Sequence, residues 1–182
     1  MPLKFLVLLL FLLFLNCKTL VNKEININRF PDKYIGTWSG KLFITNLQKL
    51  DTVDMSLIIS PKNDSIYIWN IIYGADIKNN KRSYELILKK DNQFVINELN
   101  GIQLNATLIH NKLISRFSVI NNLLDCIYTF NDREILFEVM CGKEKSINTT
   151  GDTIFNMDTI PIVRNFAINN YQIAYLHKLK LN

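Results

Sequence analysis

Apolar and polar residues alternate along most of this chain with a period of two, the repeat of a strand with one covered face and one wet face. Val53, Met55, Leu57 and Ile59 alternate with Asp54, Ser56, Ile58 and Ser60. The same rhythm carries Tyr84, Leu86 and Leu88, and then Leu113, Ser115, Phe117 and Val119. It continues through Leu124, Cys126, Tyr128 and Phe130, and through Ile135, Phe137, Val139 and Cys141. Ile66 to Tyr73 is a β-branched and aromatic run around Trp69. No stretch has the spacing of an amphipathic helix.

The breaks between these runs are short and polar: Asn79-Asn80, Asp91-Asn92, Asn100-Gly101, His110-Asn111, Asn121-Asn122 and Asn131-Asp132. Asn and Gly tolerate the positive φ of tight hairpins, so each break folds a strand back on its neighbour. The pattern predicts an all-β protein, an up-and-down antiparallel meander of about 8–10 strands. A flat meander of that length leaves two bare edges, and closure into a barrel removes them. Gly142 to Pro161 interrupts the rhythm and reads as a long connection. A last strand, about Asn165 to Lys178, is expected to close the barrel against the first.

The first strand carries Gly36-Thr37-Trp38, which resembles the Gly-x-Trp signature of lipocalins and other calycin-type barrels. That resemblance implies a calycin-like barrel with Trp38 at the closed end, beneath a ligand cavity. Ile35 to Gly40 also resembles the opening of nitrobindin-like haem barrels, whose haem is held by a histidine on a late strand; His177 is the residue that would match. The chain as a whole looks like small uncharacterised bacterial lipoproteins of similar size.

Ahead of the alternating region stands a different signal. Phe5 to Leu15 is apolar throughout and follows Lys4. The run is the length of a signal-peptide core and far short of the ~20 residues a membrane-spanning helix needs. It ends at Asn16-Cys17, and Phe14-Leu15-Asn16-Cys17 resembles the lipobox of bacterial lipoprotein precursors. Phe14 stands where leucine is commonest, and Asn16 where a smaller residue is preferred. The resemblance implies lipidation (palmitate among the acyl groups) at Cys17 and a place in the bacterial cell envelope, periplasmic or surface-facing. The expected organisation is a signal peptide over 1–16, a lipid-attached tether over 17–33 and a β-barrel over 34–182.

Composition removes several function classes. The net charge is +5, and the cations are scattered rather than striped with aromatics, which gives no support to nucleic-acid binding. Six glycines leave little room for a phosphate loop, and no catalytic motif is present. No cofactor is expected, and the chain is not read as an enzyme.

Candidate site residues are mostly aromatic. Trp38, Trp69, Tyr73, Tyr84, Phe117 and Tyr128 line a barrel interior if it is hollow, and pack its core if it is filled. Arg116 anchors a ligand carboxylate if its face turns inward, and is a surface charge if outward. His177 enters only as the haem alternative, the one metal ligand considered. Cys126 and Cys141 are read as buried free thiols. A turn at Asn131-Asp132 sets Cys126 opposite about Phe137, so Cys141 lies ~13 Å further on, beyond disulfide reach.

These readings converge on a lipid-anchored, non-enzymatic envelope protein that binds a small apolar or amphipathic molecule. The alternatives are an envelope interaction protein with a filled barrel and a haem binder using His177. Lysozyme inhibition is disfavoured, because a positively charged protein repels that cationic enzyme.

Overall fold

The computed structural model describes residues 29–180. The apolar run and Cys17 lie outside the described residues. Ten antiparallel strands close into one barrel in meander order: β1 (Gly36–Asn46), β2 (Leu50–Pro61), β3 (Ile66–Tyr73), β4 (Lys81–Leu88), β5 (Gln93–Asn97), β6 (Gln103–Ile109), β7 (Lys112–Val119), β8 (Asn122–Phe130), β9 (Glu134–Lys143) and β14 (Asn170–Lys178). The closing seam pairs β1 with β14, from Trp38 opposite Lys178 to Asn46 opposite Asn170. Gly40 permits that seam: a Cβ there would stand 2.1 Å from the Tyr175 carbonyl oxygen.

Alternation sets the inner face. Trp38, Leu42, Met55, Leu57, Ile59, Trp69, Leu86, Leu113, Ile135 and Leu176 all point inward and are almost wholly buried. Their opposite numbers form outer ion pairs such as Lys41 with Asp54 (2.6 Å) and Lys62 with Glu85 (2.5 Å). Predicted turns sit at Asp91-Asn92, with both φ values positive, and around Gly101 and His110. Two breaks differ. Ile120 and Asn121 take the positive φ angles rather than Asn121 and Asn122, and Asn79-Asn80 belongs to a single helical turn, Ile77–Asn80, capped by Asp76.

The chain enters across one end of the barrel. A 3-10 turn at Asp32–Tyr34 follows the fully buried Pro31. Phe30 packs edge-on against Phe94 and Phe130, with ring centroids 5.2 and 4.9 Å away. Residues 30–33, expected in the tether, are therefore part of the folded domain.

The long connection after β9 is an arm rather than a loop. Four short strands, β10 (Asn148–Thr150), β11 (Thr153–Phe155), β12 (Asp158–Ile160) and β13 (Val163–Asn165), make two successive ribbons, β10 with β13 and β11 with β12. The arm projects from the barrel end opposite the entering chain, and Ile154, Phe155 and Met157 at its tip are exposed. Among the described residues no helix is long and apolar enough to cross a membrane.

Candidate functional site in the open half of the barrel

The inward side chains divide the barrel into two halves. At the end where the chain enters, Trp38, Trp69, Leu86, Phe94, Leu113, Tyr128, Phe130, Ile135, Phe137 and Leu176 are all close to fully buried. Trp38 donates its indole N–H to the Tyr34 carbonyl at 2.8 Å, and Tyr34 lies 4.8 Å from the Phe130 ring. This half is filled and plugged, with Trp38 at its closed end.

The other half differs. Tyr73, Tyr84, Phe117, Leu124, Cys126, Val139 and Cys141 occupy inward register positions but keep partial solvent access. Tyr73 and Cys126 are nevertheless surrounded by protein, enough for burial to push the thiol up to about 12 and to raise the phenol as well. The sequence left filled core and hollow barrel as equal readings; the fold fills one half, and in the other the inward side chains are half-buried.

A set of polar groups meets where the halves join. Tyr128 is fully buried, its hydroxyl held neutral first by desolvation and then by the neighbouring Cys126 and Tyr73; its rings contact Trp69 (5.3 Å, edge-on) and Phe137 (5.0 Å). Trp69 stands directly across from Tyr84 on β4. Its Nε1 is buried and has no hydrogen-bond partner of acceptable geometry, although it lies near enough to the Tyr128 hydroxyl to offset part of the burial effect there. A buried indole N–H almost always finds an acceptor. Tyr84 is raised by burial and by Glu98, and Arg82 opposes both. Arg82 itself is exposed at the open rim, in register with Ile71.

Of the predicted site residues, Tyr73, Tyr84 and Phe117 face this half, Trp69 and Tyr128 are buried where it meets the filled half, and Trp38 floors the plugged end. Arg116 does not belong to the site. Its strand turns Ser115 and Phe117 inward, so Arg116 points out and grips Asp125 through two contacts at 2.5 and 2.9 Å. His177 also points outward, 3.8 Å from Glu134 on β9, because Leu176 takes the inward position. It cannot serve a haem inside the barrel. Among the described residues no three His, Cys, Asp or Glu side chains gather as a metal site.

The thiols are free, as expected, but their spacing is not. Ile135 pairs with Phe130 across a wider turn, which sets Cys126 opposite Val139 and Cys141 opposite Leu124. The two cysteines are diagonal neighbours on the inner face rather than strangers along it. Sequence reasoning missed Cys126 and Arg82 as site residues. The phase of β8, which puts Leu124, Cys126 and Tyr128 on one face, carried the signal for the first.

A second concavity, about 570 Å³, lies outside the barrel at the plugged end, between Phe30, Tyr34, Leu88, Phe94, Leu108 and Phe130. It is a surface groove bordered by the chain entering at Arg29. Its aromatic rings already have ring partners, and Arg29, Lys33, Lys89, Asp91 and His110 line it as well.

No family model matches this chain, and no curated protein is similar to it at a significant level. Solved structures do resemble it. A protein of unknown function from the DUF3598 family of Nostoc punctiforme superposes with a TM-score of 0.55 at 8% identity, covering 80% of this chain and 47% of that one. The chain thus spans about half the length of that relative in shape. Rv2717c from M. tuberculosis gives 0.48 at 9% identity, covering 80% and 92% of the two chains. A variant of the fluorescent protein UnaG gives 0.45 at 11%, covering 81% and 96%. The likeness is one of fold.

Proposed function

We propose that this protein is a non-enzymatic binding protein for a small apolar or amphipathic molecule, held in the open half of the barrel and presented at the bacterial cell envelope. One observation carries the binding reading: a set of half-buried aromatic side chains, Tyr73, Tyr84 and Phe117, that face one another inside the barrel above the buried Trp69 and Tyr128. Apolar walls with a few convergent polar groups are the usual make-up of a small-molecule site. The envelope address draws on the apolar run and Cys17 alone, through dual acylation, which holds a protein more firmly than one chain can.

Two measurements test the proposal. Purified protein titrated with a fluorescent fatty acid or an environment-sensitive naphthalene dye should enhance its emission, and Phe117→Trp or Cys126→Trp, which fill the open half, should abolish the uptake. Mass spectrometry of the mature protein should show an acylated cysteine at the N-terminus. Absence of uptake for every apolar probe would sink the binding reading, and an unmodified N-terminus the anchoring.

A second reading, an envelope interaction protein, is favoured by the arm. Ile154, Phe155 and Met157 stand out in solvent at its tip, an unusual expenditure of apolar surface. Under that reading, removal of the arm abolishes partner association and leaves dye uptake intact.

A further inference from the structure

We infer that the plugged end of the barrel is a docking face for an anionic phospholipid bilayer, with Arg29, Lys89, Arg133, Lys178 and Lys180 toward the headgroup phosphates. The inference rests on the envelope part of the proposed function, which supplies the membrane; the face itself is built from described residues.

Strand direction gathers these cations. The turns after β2, β4, β6 and β8 open at this end, together with the entering chain and the end of β14. Other charges there are already committed. Lys33 holds Asp132 at 2.6 Å, Lys62 holds Glu85 at 2.5 Å, and Lys90 lies 4.0 Å from Asp91. Asp32 accepts from the Tyr67 hydroxyl, Glu134 stands 3.8 Å from His177, and Asp64 is not free either. Arg29, Lys89, Arg133, Lys178 and Lys180 are exposed, and none has an ion-pair partner among the described residues.

The opposite end is near balance. Lys78, Lys81 and Arg82 share that rim with Glu98, and the arm carries Lys145 and Arg164 together with Glu144, Asp152 and Asp158. Within a Debye length of an anionic leaflet each free cation is worth about five-fold in affinity. The end with the uncompensated surplus is therefore drawn to the surface.

Two further observations fit that orientation. The groove of about 570 Å³ opens among these cations, and its floor of Phe30, Tyr34, Leu88 and Leu108 is only half-buried. Rings beside cations suit the headgroup layer, which is neither fully wet nor fully apolar. Arg29 also marks where the chain leaves for Cys17. Residues 18–28 lie between them and reach at most roughly 40 Å, so lipid on Cys17 brings this end to the bilayer first.

The test uses the mature chain with Cys17→Ser, which bears no acyl group, sedimented with lipid vesicles. Equimolar phosphatidylglycerol and phosphatidylcholine should bind it on the order of a hundred-fold tighter than phosphatidylcholine alone, less so as salt rises. Arg29→Gln with Lys89→Gln should cost about five-fold per cation. Lys78→Gln with Lys81→Gln, the same change of net charge at the open end, should cost less than about two-fold. Orientation is read separately. Ile109 is exposed next to the groove and Leu47 at the opposite rim. Ile109→Trp should shift its emission to the blue on the charged vesicles, and Leu47→Trp should not. Equal binding to both vesicle types, equal losses from the two charge pairs, or a blue shift at position 47 alone overturns the docking face. An acylated Cys17 found beside any of those results leaves the envelope reading standing. Binding through this face with an unmodified Cys17 keeps the face and removes the anchor.

Discussion

Trp38 donates its indole N–H to the carbonyl of Tyr34 at 2.8 Å, so the residue that floors the barrel also ties down the segment that plugs it. Lys178 on the closing strand lies over the outer side of the same indole, 5.6 Å from the ring centre. The first strand, the last strand and the entering chain are thereby joined through one side chain.

Truncation there should be among the costliest in the protein. Trp38→Ala removes a fully buried ring and strands the Tyr34 carbonyl, for a loss of about 3–5 kcal/mol. Urea unfolding followed by circular dichroism measures it. A loss below about 1 kcal/mol would show that the plug and floor are energetically separate.

Cys126 should be inert. Burial raises its thiol to about 12, so near pH 8 the reactive thiolate is on the order of a thousand-fold scarcer than for a thiol of ordinary acidity. In a Cys141→Ser background, where Cys126 is the remaining described cysteine, iodoacetamide should label the folded protein far more slowly than the urea-unfolded chain. Labelling at equal rates would contradict an enclosed site.

Stability should decline on the alkaline side. Cys126 is raised from 9.0 to about 12 by burial, and Tyr67 from 10.0 to about 12 by burial and by the bond its hydroxyl donates to Asp32 at 2.6 Å. Both groups are raised, so the stabilisation is complete below the unfolded values. It is lost as pH climbs, because the unfolded chain gives up protons that the fold retains. The denaturation midpoint should hold from neutrality to about pH 9 and then fall through about pH 12. A midpoint level across that window would show that these groups are not shielded in the fold.

One substitution should stabilise. Ile120 is β-branched, exposed and held at φ 48° in the β7–β8 turn, a left-handed conformation that suits Asn or Gly. Ile120→Asn should add about 1 kcal/mol by relieving that cost and covering less apolar surface with water. The thermal midpoint reports it, and a fall in that midpoint would mean that Ile120 makes a contact worth more than its strain.

The arm should be dispensable for folding. Ile147 N–H bonds the Asn165 carbonyl at 2.8 Å, so the two ends of the arm already meet. Replacing residues 148–164 by a short Asn-Gly turn should change stability by less than about 0.5 kcal/mol, since the residues removed are exposed and β9 still pairs with β14. Collapse of the barrel in that variant would show that the arm supports the closing strand.

Much of this architecture was legible in one dimension. A period of two assigns each strand residue to a face, and the phase runs unbroken through Val53 to Ile59, Leu113 to Phe117 and Leu124 to Phe130. Tyr84, Phe117 and Tyr128 followed from that alternation, and Trp69 and Tyr73 from the β-branched and aromatic run on β3. Arg116 shows the limit: it too obeyed the alternation, and its own strand neighbours Ser115 and Phe117 show which side it takes. The turn after Phe130 is another limit. Its chemistry announces a reversal but not how many residues the reversal uses, and a shift of two positions moved Cys126 from Phe137 to Val139.

By itself the sequence determined the strands, their inner faces and the reversals between them, because alternation and turn chemistry are local properties of consecutive residues. Only the tertiary structure decided that Gly142 to Pro161 stands out as an arm, that Phe30 to Tyr34 plug one end, and that Trp69 packs edge-on against Tyr128. Each of those depends on which distant residues a closed barrel brings within a few ångströms. Closure is a property of all ten strands at once, and no short stretch of chain encodes it.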